Sequence, residues 1–255
     1  MLINKILCMR KILFILLIIT MAGCSSKKKD LFEVITYECK QKEESLNLQF
    51  EFRGGVELPL EKICDSYKSL QDSIISVMFG EELVDYPTKK ALRVYADSSF
   101  AEYKKVHEEI FDNAQSMMHD AQLYNYETDI KGKILFYDSN VLSYQRELYT
   151  YAGGAHGMTT KTNYVFDIKT GKILTEEDVF GKGFERKITK QLIEKANILR
   201  AKGELPEEDE LYNSWNIIPN GNFALTDSSV IYTFNPYEIA PYCYGIINIE
   251  LKLEN

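Results

Sequence analysis

Histidine is the scarcest of the versatile catalytic residues in this 255-residue chain, which has three: His107, His119 and His156. His107-Glu108 opens like a zincin helix, but Phe111 stands where the second zinc-binding histidine belongs. The chain has no G-x-S-x-G elbow and no phosphate-binding P-loop. A metal-dependent polysaccharide deacetylase would need a paired-aspartate motif and a second-histidine motif, and neither is present. The five cysteines match no zinc spacing. No metal or cofactor is therefore implied. Basic residues number 30 against 38 acidic ones, a net charge of −8. That excess argues against nucleic acid as a partner, because phosphate repulsion would oppose binding.

What the chain does have is an export signal. Arg10 and Lys11 form a basic n-region and Ile12 to Ile19 an unbroken apolar h-region. Met21-Ala22-Gly23-Cys24 then reads as a bacterial lipobox: an apolar residue, two small ones, and the cysteine to be acylated. The apolar run is too short for a permanent transmembrane helix. Residues 1–23 are expected to be a lipoprotein signal peptide, and Cys24 the first mature residue, carrying acyl chains such as palmitate. Residues 24–30 follow as a polar tether. The expected location is the cell envelope, on the outer or inner membrane, with the lipid anchor holding the protein to its membrane. Met1 and Met9 are alternative starts, since the signal is complete without residues 1–8. The signal holds Lys5, Arg10 and Lys11 and no acid, so its removal takes the net charge from −8 to −11. Such a surface suits a solvated protein and favours cationic partners.

Beyond Cys24 the mature chain has Cys39, Cys64 and Cys243. An oxidising compartment permits one disulfide, and Cys39–Cys64 is the preferred pair, worth about 3 kcal/mol on the loop-entropy model. The alternative is three small buried apolar side chains.

Hydrophobic periodicity predicts an α+β fold, an antiparallel sheet with amphipathic helices packed on it. Leu46, Leu48, Phe50 and Phe52 alternate with polar residues as in a half-buried strand, which Gly54-Gly55 is expected to end. Leu60, Ile63, Tyr67, Leu70, Ile74 and Met78 mark a helix stopped by Gly80. A second helix is expected from Ser98 to Met118, with His107 on its apolar face as a hydrogen-bonded core residue. From Tyr124 to Phe166 the period is strand-like, with breaks expected at Lys131-Gly132-Lys133, Asp138-Ser139-Asn140 and a glycine loop. A third helix carries Phe184, Ile188, Leu192, Ala196 and Leu199 on one face. A hairpin, Asn222 to Thr226 and Ser229 to Phe234, precedes a last strand. Glu204 to Glu210 (ELPEEDE) reads as a solvated loop.

The densest local signal is Tyr151 to Gly157, YAGGAHG. Three glycines in five residues imply positive φ angles or a close backbone approach, with Tyr151 and His156 projecting. Phosphate loops lead into a helix, but the residues after Gly157 read as a strand. A tight connection between antiparallel strands is the better reading.

YAGGAHG at 151–157, then Asn163 and Asp167, then TGKILTEEDVF at 170–180, are spaced as in one family. The chain resembles the C-terminal extracytoplasmic domain of the lysozyme-sensing anti-sigma factor RsiV, also found beside the peptidoglycan deacetylase PdaC. GNFALTDSSVIYTFNPYEIAPYCYG at 221–245 resembles that family's closing signature, with Cys243 where a small residue is expected. The resemblance covers residues 119–255, an RsiV-like α+β domain; residues 31–118 resemble the companion α+β region that precedes it. It implies the isolated module on a lipid anchor, without the deacetylase's separate catalytic domain, and the first expectation is a binding protein rather than an enzyme. The expected binding residues are Tyr151, His156, Tyr237 and Tyr242, and the ligand is lysozyme, another cationic protein or a cell-wall glycan. The alternatives are an envelope hydrolase, with His156 and Asp167 or Glu238 as acid and base, and a structural or assembly lipoprotein.

Overall fold

The computed structural model describes residues 31–46, 48–113, 125–207 and 217–253. The signal, Cys24 and the tether lie outside the described residues, as do His119 and the end of ELPEEDE. Strands β1 (Phe32–Glu43) and β2 (Leu48–Pro59) form an antiparallel pair in register from Phe32↔Pro59 to Glu43↔Leu48. Leu48, Phe50, Phe52, Val56 and Leu58 of β2 all face the core. Gly54-Gly55 does not end this strand but lies inside it, because a side chain at Gly54 would collide with Leu92 and the Phe52 ring. Glycine there admits a helix.

That helix belongs to a pair. Helix α1 (Tyr67–Phe79) buries Leu70, Ile74, Ile75, Met78 and Phe79 and stops at Gly80, whose φ is 110°. It starts later than its apolar periodicity suggests. Residues 60–66 instead form turns, with Leu60 N donating to Leu31 O and Ile63 N to Leu60 O. Helix α2 (Thr88–Asn113) starts earlier than predicted, with the Pro87 carbonyl accepting from Lys90 N and Ala91 N. Its first turns bury Ala91, Leu92 and Ala96. The two alanines give little signal to a search for bulky apolar residues.

Strands β3 (Asn125–Tyr137), β4 (Val141–Tyr151), β5 (Met158–Asp167) and β6 (Ile173–Leu174) complete a six-stranded sheet in sequence order. All neighbours are antiparallel except β2 and β3, which run parallel from Gln49↔Asn125 to Val56↔Gly132. The α1–α2 crossover makes that parallel pair possible. Lys131-Gly132-Lys133 lies within β3, not at a break. A side chain at Gly132 would collide with the fully buried Tyr144.

The second part comprises α3 (Glu176–Phe180), α4 (Phe184–Ala201) and an antiparallel sheet of β7 (Phe223–Leu225), β8 (Ser229–Phe234) and β9 (Ile247–Lys252). Thr175 and Asp178 form a reciprocal capping box on α3. Two hydrophobic clusters result. One gathers β1 to β4 with α1 and α2; the other gathers α4 with β7 to β9. β5 is their common wall, since Phe166 points into the first and Val165 into the second. The large sheet thus takes strands from both sides of residue 119, and the clusters divide the chain near residue 170. Among the described residues, no helix is long and apolar enough to cross a membrane.

Cys39 and Cys64 are both free thiols. Cys39 faces Phe52 across the β1–β2 ladder, eight residues from Leu31, roughly 26 Å along a strand. Cys64 follows the turn that hydrogen-bonds to Leu31. The two lie toward opposite ends of β1, whereas a disulfide needs Cα atoms within about 7 Å.

Candidate functional site: an aromatic stack between two loops

The β4–β5 connection is the YAGGAHG loop, and it joins antiparallel strands. Gly153 and Gly154 take φ values of 83° and 93°, which folds the loop back so that the Tyr151 hydroxyl donates to Gly154 O at 3.0 Å. Gly157 serves a different purpose, because a side chain there would strike the Tyr149 ring. His156 is exposed, and its Nδ1–H donates to Gly157 O at 3.1 Å.

The β8–β9 connection meets this loop. After Asn235 the chain turns, with Tyr237 N donating to Ala240 O and Glu238 N to Asn235 O, each at 3.0 Å. Tyr237 has φ 71°, the one non-glycine residue with positive φ among those described. Such a conformation costs on the order of 1–3 kcal/mol and persists where the surroundings hold it. A short 3-10 turn follows at Tyr242–Tyr244. The Tyr242 hydroxyl donates to Gly157 O at 2.7 Å, so that carbonyl serves both loops. The rings stack. His156 and Tyr242 lie 4.0 Å apart at 16°, and Tyr237 meets Tyr242 at 5.9 Å and 30°. Tyr237 remains 48% exposed, so the stack presents aromatic surface to solvent.

Charged groups flank it on the open face of the large sheet. Arg53 bridges Asp129 at 2.8 Å, Glu51 at 3.2 Å and Glu127 at 3.4 Å, and Lys40 holds Glu51 at 2.7 Å. Burial, reinforced by the charges of Glu127 and Asp129, raises the Tyr149 hydroxyl above the ordinary phenol range. Arg53 and Lys40 together offset two of these three carboxylates, so the cluster beside the aromatics keeps one net negative charge.

The structure therefore brings His156, Tyr237 and Tyr242 into one stack and places Tyr151 at the base of the same loop. Asp167 and Glu238 belong to other hydrogen-bond sets. Asp167 closes its own turn, and the Thr170 hydroxyl and backbone N–H hold its carboxyl below the usual range. Glu238 accepts from Asn220 at 3.4 Å and Asn235 at 3.3 Å. His107 is buried, with Nε2–H donating to Leu46 O at 3.1 Å and Nδ1 accepting from the Tyr126 hydroxyl at 3.4 Å. Among the described residues, no three His, Cys, Asp or Glu side chains gather as a metal site.

An amide network missed in the sequence holds the two loops in place. β6 covers only Val165 and Phe166 of β5. Upstream, side-chain amides take over the role of a neighbouring strand. Asn235 accepts from Lys161 N at 2.7 Å and donates to Lys161 O at 3.1 Å. Asn222 accepts from Asn163 N at 2.7 Å and also donates to Lys161 O, at 2.8 Å. Buried Asn163 accepts from Gln145 at 2.9 Å and donates to Thr233 Oγ1 at 2.7 Å. The available signal was asparagine in and beside strands, where it is depleted.

The comparisons agree with a two-part molecule. Residues 60–159 match the family model described as Deacetylase PdaC, and residues 177–254 match the one described as Protein of unknown function (DUF3298). The two matched segments follow one another along the chain. Tyr151 and His156 lie in the first, Tyr237 and Tyr242 in the second, so the stack forms where the segments meet. A DUF3298-family crystal structure from Bacteroides fragilis is similar at TM-score 0.73 and 21% identity, over 87% of this chain and 89% of that one. Another DUF3298-family structure, from Pseudomonas aeruginosa, gives TM-score 0.55 and 17% identity over the same shares. These likenesses concern the fold. No curated protein matches the chain.

Proposed function

We propose that this protein is a lipid-anchored cell-envelope binding protein. It takes a cationic protein such as lysozyme, or a cell-wall glycan, on the His156–Tyr242–Tyr237 stack. The observation that carries this reading is the stack itself: two loops from different matched segments share one carbonyl and hold three rings together, one of them on a backbone in a costly conformation. Rigid tyrosines with exposed faces are efficient interface anchors. The lipobox at Met21–Cys24 supports the anchor, and the PdaC and DUF3298 matches are consistent with an envelope protein of unassigned activity.

The anchor is tested by mass spectrometry of the mature N-terminus, which should show an acylated Cys24; a chain retaining Met1 or Met9 would overturn it. The partner is tested by surface-plasmon binding of the 25–255 fragment to lysozyme over a salt series. Association should slow as the Debye length falls from about 30 Å at 0.01 M salt to about 8 Å at 0.15 M. Replacing Tyr242 by alanine should mainly speed dissociation. Absence of binding at low salt removes lysozyme as the ligand.

A further inference from the structure

The large sheet has a long bare edge at β1. Leu60 N donates to Leu31 O at 2.8 Å, and the β1–β2 register continues from that pair without a bulge. Hydrogen-bonded pairs alternate along an antiparallel ladder. The odd-numbered residues of β1 therefore turn their backbone N–H and C=O groups toward β2. Phe32, Val34, Thr36, Glu38, Lys40 and Lys42 turn theirs outward, where among the described residues no further strand is added. Val34 is 67% exposed and the Lys40 side chain 74%, so the edge is open. Native sheets blunt such edges with bulges, proline or charged side chains, because a row of unpaired groups is a template for another strand. Over its 12 residues β1 has no bulge and no proline, only charges. Those charges decide which pairings are allowed.

We propose that β1 pairs with β1 of a second copy of this chain, antiparallel about a twofold axis through Cys39. Outward groups meet only where even-numbered residues face even-numbered ones, which leaves few twofold registers. Centring on Glu38 opposes Glu38 to itself and Glu33 to Glu43, and centring on Lys40 or Gln41 opposes lysine to lysine. Centring on Ile35, Thr36 or Tyr37 joins no opposite charges. Centring on Cys39 sets Glu38 against Lys40 twice and opposes no like charges. Opposite charges directly across a strand pair are stabilising and like charges are not. The hydrogen-bonded pairs are then Glu38–Lys40 and Thr36–Lys42, each formed twice and each exchanging two backbone bonds. On the axis the two Cys39 residues form a non-hydrogen-bonded pair, whose Cα atoms lie about 4.5 Å apart, within disulfide range. Cys39 is a free thiol in the single chain. The contact uses the same surface on both copies, so it closes at two. β1 is separate from the aromatic stack, whose loops leave β4 and β8, so either reading can fail alone.

The test is sedimentation velocity of the full chain in detergent, beside its Lys40→Glu and Glu38→Lys variants. The unmodified chain should dimerise. Lys40→Glu opposes acids across the axis and Glu38→Lys opposes lysines, so each variant alone should dimerise about tenfold more weakly or worse. Lys40 also bridges Glu51 within its own chain, and a mixture of the two variants controls for that loss. Mixed in equal amounts, they restore opposite signs at each of these pairs and should recover most of the affinity as a heterodimer. Diamide takes up two electrons and two protons as two thiols become one S–S bond. Added to the unmodified dimer, it should join Cys39 to Cys39, seen by mass spectrometry as a peptide linked to its own copy. Four results would overturn the proposal: an unmodified chain that stays monomeric at its highest soluble concentration, single variants that dimerise as well as it does, a mixture no tighter than either variant, or a diamide product without the Cys39–Cys39 link.

Discussion

The two halves of the molecule are held together by different forces. Around β1 to β4, α1 and α2, the interior is apolar and continuous: Phe50, Phe52, Ile74, Leu92, Ile130 and Tyr144 are each at most 1% exposed. The β7–β9 sheet has its own smaller cluster, which Val165 of β5 joins, and hydrogen bonds through Asn222, Asn235, Asn163 and Thr233 add a polar seam to that attachment. Dispersion and burial fix the first half with little directional demand. Hydrogen bonds fix the second at set angles, which is what an aromatic stack built from two loops needs. The polar seam contributes position, and the apolar core contributes most of the stability.

The largest expected effect comes from breaking the apolar half. Phe52→Ala removes a fully buried ring and should cost about 3–5 kcal/mol in urea unfolding. A loss below about 1 kcal/mol would show that the core is not where the stability resides. Next is Asn163→Ala, which strands the Gln145 amide and removes a partner of Thr233. It should cost about 2–3 kcal/mol. Its signature should be regional: hydrogen exchange quickens in β7–β9 while β2 and β3 keep their protection. Uniform loss across both sheets would erase the distinction between the halves.

Much of this architecture was legible in the residues. The alternation in β2 and β9, the α4 face and the hairpin of β7 and β8 follow from periodicity, because each buries one face. The departures have physical causes. Gly54 and Gly132 read as strand breaks, yet both lie in strands where Leu92 and Tyr144 need the space a side chain would occupy. The start of α2 was hidden because its first buried residues include Ala91 and Ala96. The parallel β2–β3 pair depends on what two helices span, a non-local fact that short connections do not reveal. At the candidate site the YAGGAHG loop stood out by composition, but its contact with Tyr242 joins residues 85 apart in sequence. The asparagine seam joins residues 59 to 74 apart, so asparagine in and beside strands was its one trace in the sequence.

Smaller effects sharpen the comparison within the second half. Thr175→Ala removes the capping box of α3 and should cost about 1 kcal/mol. The Asp178 carboxyl sits below its ordinary range, mainly through the Thr175 backbone N–H and then its hydroxyl. A depressed folded-state pKa means the contribution is present above the unfolded value, about 3.9, and lost as pH falls through the folded one. Thr175→Ala should therefore move the Asp178 titration, followed by carboxyl carbon shifts, up toward the unfolded value. An unmoved midpoint would mean that the Thr175 hydroxyl does not hold the carboxylate.

The seam's purpose is tested most directly at His156. Stacking on Tyr242 at 4.0 Å should give the imidazole carbon-bound protons a marked ring-current shift. Tyr242→Ala should abolish that shift. Asn235→Ala, which cuts the amide bonds to Lys161 and touches no aromatic ring of the stack, should reduce it strongly. If the His156 signals in Asn235→Ala match those of the unmodified protein, the amide seam does not position the aromatic surface.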